Sequence, residues 1–143
     1  MSISTNLKLI NQRLIKAADK AGRNPRDIKL LVAGKYADAD QLLQLIKAGQ
    51  VLIGENKAQD LKHKYQVIGD QAEWHFIGHL QRNKVKDVVS LISMLHSLDS
   101  LRLANELEKQ LQKINKILPV LIEVNVASEV TKSGISLQAL DEL

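Results

Sequence analysis

Five short apolar runs, at residues 28–33, 51–53, 73–77, 92–98 and 119–126, alternate along this chain with segments of helical spacing. Each run is too brief for a helix and is nearly continuous rather than alternating, the pattern of a strand buried on both faces. Between them, Leu7, Ile10, Leu14, Ala17 or Ala18, and Ala21 recur three or four residues apart until Gly22, which predicts an amphipathic first helix. Asp38 or Asp40 caps a second helix carrying Leu42, Leu43, Leu45 and Ile46 and closed by Gly49. Residues 56–66 and 82–89 read as further helices. Ser100 opens the strongest one, lined by Leu101, Ala104, Leu107, Leu111 and Ile114, with Lys109, Lys113 and Lys116 set toward its negative dipole end and Pro119 as its stop. A polar loop over 127–136 and a helix start at 137–143 complete the pattern.

Strands that alternate with helices and are buried on both faces predict an α/β fold with a parallel sheet and right-handed crossovers. Two architectures satisfy this, an open doubly wound sheet and part of a (β/α) barrel. A closed (β/α)8 barrel takes about 250 residues, so 143 residues with five strands would form an incomplete barrel with two unpaired edges. Both architectures put ligands at the carboxyl ends of the strands, and that is where the chemistry is sought. The length fits one domain, residues 1–143.

Composition narrows the function classes. The absence of cysteine excludes disulfide frameworks, thiolate nucleophiles and cysteine-ligated zinc or iron–sulfur sites. Net charge is only +4 and aromatic content 3%, so a single-strand nucleic-acid groove with stacking platforms is not expected. Neither a signal sequence at the N-terminus nor an apolar stretch near the roughly 20 residues that span a bilayer is visible. The expectation is a cytoplasmic protein without a membrane or specific nucleic-acid partner.

The residues that follow the strands are Gly34-Lys35, Gly54-Glu55-Asn56, Gly78-His79-Leu80-Gln81, His96-Ser97 and Asn125. A lysine just past a buried strand, walled by apolar groups, is a candidate nucleophile for an aldehyde, because desolvation penalises the ammonium form. The small Gly54 would let the chain turn sharply and present the Asn56 amide at the rim. His75 reads as a packed strand residue and His79 as a rim hydrogen-bonding group; a metal pair is not expected, since a strand and turn between them do not align residues four apart. Arg82, Lys84 and Lys86 read as a solvated basic face able to meet phosphate. Glu55 and Glu123 have no partner at a spacing that predicts acid/base chemistry. Neither a Walker loop nor a G-x-G-x-x-G fingerprint is present.

Taken together, these segments resemble the pyridoxal phosphate homeostasis proteins, single-barrel relatives of the alanine racemase N-terminal domain. The resemblance is carried by residues 31–35 (LVAGK), 54–56 (GEN), 74–84 (WHFIGHLQRNK), 96–99 (HSLD) and 132–135 (KSGI), and runs nearly end to end. It implies an incomplete TIM-type (β/α) barrel of about five parallel strands with helices outside. It also implies a non-enzymatic protein of vitamin B6 and amino-acid homeostasis that holds pyridoxal 5′-phosphate (PLP) as a Schiff base on Lys35, with Asn56 and His79 beside the cofactor. Gly34 replaces the usual serine before the lysine, and Lys57 replaces the usual aromatic after the asparagine.

Family members are longer, and the resemblance implies that the part after the fifth strand carries the phosphate cup, so weak or absent PLP retention is expected from a truncated chain. Unpaired sheet edges, with Val120, Leu121 and Ile122 at one of them, predict self-association. The competing enzyme reading is a barrel fragment of a PLP-dependent racemase or decarboxylase, which would need a second domain.

Overall fold

The computed structural model describes residues 2–127, 129 and 133–143; Lys132 of the quoted motif lies outside them. Five strands form a single sheet: β1 (Val32–Ala33), β2 (Leu52–Glu55), β3 (Glu73–Phe76), β4 (Met94–Leu98) and β5 (Val120–Ile122). They lie in the order β1-β2-β3-β4-β5, and each pairs in parallel with the next. Right-handed crossovers that always step in the same direction put every connecting helix on the same face of the sheet. A doubly wound sheet reverses direction and covers both faces, so the strand order selects the barrel-type arrangement from the two the sequence allowed. Among the described residues no pairing joins β1 to β5; beyond β5 the chain makes one parallel bridge, Val124 with Ile135.

The helices are α1 (Ile3–Lys20), α2 (Ala39–Lys47), α3 (Ala58–Ile68), α4 (Val85–Val88) and α5 (Leu101–Lys113). Ser2 caps α1 by accepting the Thr5 N–H. At α2 the first of the two candidate aspartates is the cap: Asp38 accepts from Gln41 N while the Gln41 side chain accepts from Asp38 N, a capping box that satisfies two otherwise orphaned donors. Ser100 caps α5 as the sequence predicts. Their buried faces, including Leu42, Leu61, Val85, Val88, Leu103 and Leu107, close over Ile53, Trp74, Phe76 and Leu95 of the sheet. Ile53 stands beside Trp74 and Phe76 beside Leu95, so these side chains form continuous rows on the helix-facing side. Among the described residues no helix is long and apolar enough to cross a membrane.

Several boundaries differ from the sequence expectation. The first run pairs only at Val32 and Ala33, because β1 is an edge strand and the Leu30 carbonyl accepts from the Gln50 side-chain amide. Helix α5 ends at Lys113, well before Pro119, where Asn115 takes a left-handed φ of 48°. Lys116 therefore serves another element. Its ammonium donates to the carbonyls of Val89 (2.9 Å) and Ile92 (2.7 Å), just past α4, and burial pushes its pKa down. Residues 82–89 split into a 3-10 turn, Arg82–Lys84, and α4; the last segment is a 3-10 helix, Leu137–Glu142.

On the sheet face away from the helices, Ala33, Gly54, His75 and Met94 lie side by side by register. Here the packed histidine has a partner that the sequence did not reveal. His75 Nδ1 and His96 Nε2 are 2.8 Å apart, and His75 Nε2 is 3.3 Å from Glu73 Oε1. One imidazole must donate and the other accept, so the contact requires one nitrogen without a proton. Burial, and then the neighbouring His75, hold the His96 pKa below its ordinary 6.5.

Two measurements test this packing. Leu95→Ala removes a fully buried side chain and is expected to cost about 2–5 kcal/mol in urea unfolding, against about 0.5 kcal/mol or less for the exposed Ile117→Ala. For His96 the unfolded chain binds a proton more readily than the folded one, so its contribution is complete above 6.5 and is lost as pH falls through and below that value. His96→Gln is expected to flatten the fall in unfolding free energy between about pH 7.5 and 5; an unaltered pH slope would contradict the assignment.

Candidate functional site

The register brings the strand ends to a common level. Ala33, Gly54 and His75 are neighbours across β1, β2 and β3, and Lys35, Asn56 and Ile77 each follow two residues later. The Gly34 N–H donates to the Gly54 carbonyl at 2.8 Å, and the Ile77 N–H to the Glu55 carbonyl at 2.9 Å, so the backbone ladder continues to this rim. Lys35 is exposed, and the apolar walls expected from the sequence are not around it. Its Nζ lies 5.0 Å from the centroid of the exposed Tyr36 ring. A cation–π contact at such a site is worth about 0.5–1 kcal/mol, little enough to yield to a ligand. The edge position of β1 accounts for the exposure, because among the described residues no strand pairs with its far side.

Asn56 is held firmly. Its N–H donates to Glu55 Oε1 at 2.7 Å, and its backbone packs against Gly78 so closely that a Cβ there would lie 2.3 Å from the Asn56 carbonyl oxygen. Gly78 in turn is tied through its carbonyl, which accepts from Ser97 Oγ. The Asn56 side-chain oxygen is buried and has no hydrogen-bond partner among the described residues. Gly54 acts otherwise than the sequence reading supposed. It has no left-handed φ, and its smallness serves packing: a Cβ would meet Leu31 Cδ2 at 2.7 Å and Ile77 Cδ1 at 2.9 Å.

Glu55, unpaired by sequence spacing, is fully buried and has a partner in Lys64, whose Nζ is 2.5 Å from Glu55 Oε2 and 2.9 Å from the Gly34 carbonyl oxygen. The signal for Lys64 was present: it falls between Leu61 and Ile68 at spacings of three and four, the buried stripe of α3. A lysine in that stripe has to find a carboxylate or carbonyls. Glu123 has a partner too, since Ser133 Oγ donates to its Oε1 at 3.0 Å.

His79 stands on the loop after β3 with its side chain 55% exposed, and its Nδ1 is 3.0 Å from Asp99 Oδ2. A carboxylate at Nδ1 fixes the ring and leaves Nε2 for a ligand. Asn56, His79 and Lys84 share a cavity of about 380 Å³ with Phe76, Leu80 and the first residues of α3. Lys35 does not line it. Arg82 is exposed on the neighbouring turn. Among the described residues no three His, Asp or Glu side chains are placed to hold a metal ion.

No family model matches the chain. It is 40% identical to the pyridoxal phosphate homeostasis protein of Aquifex aeolicus over 144 residues, which cover 100% of this chain and 63% of that protein. Against the protein of the same name in Escherichia coli K12 it is 38% identical over 145 residues, 99% of this chain and 62% of the relative. In fold it matches an unknown protein from Bifidobacterium adolescentis with a TM-score of 0.87 and 28% identity, covering 96% of this chain and 60% of that one. It also matches PipY of Synechococcus elongatus, solved with PLP bound, with a TM-score of 0.71 and 25% identity over 85% of this chain and 57% of that one. The chain thus spans about three-fifths of the length of the relatives it matches. Sequence and fold agree in making it a relative of the pyridoxal phosphate homeostasis proteins, the family its strand-end motifs resemble.

Proposed function

We propose that this chain binds PLP in vitamin B6 and amino-acid homeostasis, with Lys35 holding the cofactor as a Schiff base. The observation that carries the reading is an accessible amine at the end of β1 beside a strand, β2, whose end carries a buried amide oxygen, Asn56 Oδ1, that has no hydrogen-bond partner among the described residues. An amine and an acceptor at adjoining strand ends suit PLP, which offers an aldehyde to the first and a phenolic hydroxyl or protonated ring nitrogen to the second. The Lys35 nitrogen attacks the aldehyde carbon, a C=N bond forms and the oxygen leaves as water. Asn56 accepts from the ring, and His79, steadied by Asp99, donates or accepts at the mouth. PLP bound to PipY and the name shared by the curated relatives support this reading.

We read the role as cofactor holding without turnover, in the cytoplasm and without a nucleic-acid partner. Residues 1–143 are read as one domain, the N-terminal portion of a barrel. We also read the exposed apolar edge of β5, Val120 to Ile122, as a surface that a second copy covers by strand pairing.

Incubation with PLP, borohydride reduction and peptide mapping is expected to place the reduced adduct on Lys35 and to lose it in Lys35→Ala; labelling that persists in that variant, on another lysine, defeats the assignment. Reduction traps the bond, so the test reads the site even at low occupancy. For self-association, sedimentation over a rising concentration series is expected to show dimers or larger species that Leu121→Lys shifts toward monomer. A wild type that stays monomeric throughout would sink that part of the reading.

A further inference from the structure

The buried pair under the rim joins two segments far apart in sequence. Lys64 has a side chain only 12% exposed, and its ammonium donates both to Glu55 Oε2 and to the Gly34 carbonyl. The other oxygen of the same carboxylate accepts the Asn56 N–H. A continuous path therefore runs from the carbonyl preceding Lys35, through one ammonium and one carboxylate, to the backbone of Asn56. As a source of stability this arrangement is poor. Burying two charges costs about as much as their attraction returns, and a well-packed apolar pair of similar volume does as well or better. What an apolar pair cannot do is hold a particular carbonyl and a particular N–H at fixed positions, since only hydrogen bonds have that directionality.

We propose that Lys64 is a positioning residue for the cofactor site, which sets the end of β1 against the end of β2 so that Lys35 and Asn56 address one ligand. This rests on the reading that those two residues hold PLP. Glu55 transmits the position to Asn56, and Lys64 transmits it to Gly34. Lys35 most needs the second contact, because it follows β1, an edge strand among the described residues, and is exposed, with the Tyr36 ring near its amine. Apart from the sheet ladder and the turn bond from Ala37 N, the Lys64 ammonium is the contact that fixes the Gly34 peptide.

The decisive variant is the double substitution Glu55→Gln/Lys64→Met. It removes both charges together, so neither is left buried alone, and the glutamine carbonyl still accepts from Asn56 while Gly34 loses its tether. PLP incorporation is followed by borohydride trapping and mass spectrometry, with the ratio of Lys35 label to label on surface lysines as the readout and thermal unfolding alongside. The ratio is expected to fall roughly tenfold to a hundredfold, and Lys64→Arg, which can span both acceptors, is expected to recover most of it. A merely structural role would move the melting temperature and leave the ratio alone; an unchanged ratio in the folded double variant overturns the proposal. Should wild type fail to label Lys35, the PLP reading falls. The tether is then judged by amide hydrogen exchange at Ala37, whose N–H donates to the Gly34 carbonyl. Exchange there that is roughly tenfold faster in the double variant sustains it, and equal exchange overturns it.

Discussion

Each strand of this chain pairs with the one that precedes it in sequence, in parallel and always on the same side, and the remaining features follow from that constraint. Right-handed crossovers then stack every helix against one sheet face, so Ile53, Trp74, Phe76 and Leu95 meet the apolar stripes of the helices in one core. The opposite face is lined by Ala33, Gly54, His75 and Met94, and it carries the polar pairing of His75 with His96. Parallel pairing also aligns all carboxyl ends, and for that reason residues as distant as Lys35, Asn56 and His79 come to a single rim.

That rim is organised from beneath. Glu55 faces the helices rather than the His75 face of the sheet, and there it meets Lys64 from α3. The pair adds little net free energy, yet it binds β1 to β2 at the level where the backbone ladder gives way to loops. Two glycines complete the arrangement by close approach: Gly54 admits Leu31 and Ile77 across the sheet, and Gly78 admits the Asn56 backbone itself. A side chain at either position would push the strand ends apart. The rim is thus built from small residues where elements must touch and from a charged pair where two peptides must be held in place.

The edges show the other side of the same constraint. Among the described residues β1 pairs with β2 alone, is short and leaves Lys35 exposed, and β5 leaves Leu121 and Ile122 accessible. Exposure at Lys35 suits the ligand-holding role proposed for it. Exposed apolar side chains along β5 are the observation on which the proposed self-association rests.

By itself the sequence determined the α/β class, five strands, the start of the longest-patterned helix at Ser100, a second helix opening at Asp38 or Asp40, and the motifs that point to the family. These are legible because they rest on local chemistry: periodicity, capping and the order of residues after each apolar run. Only the tertiary structure decided that the sheet steps in one direction, that Glu55 answers Lys64 and His75 answers His96, that Lys116 serves the end of α4 rather than α5, and that Lys35 is open to solvent. Each of these depends on which elements become neighbours. Spacing along the chain does not encode that, because a parallel crossover can step either way and brings together residues from separate segments.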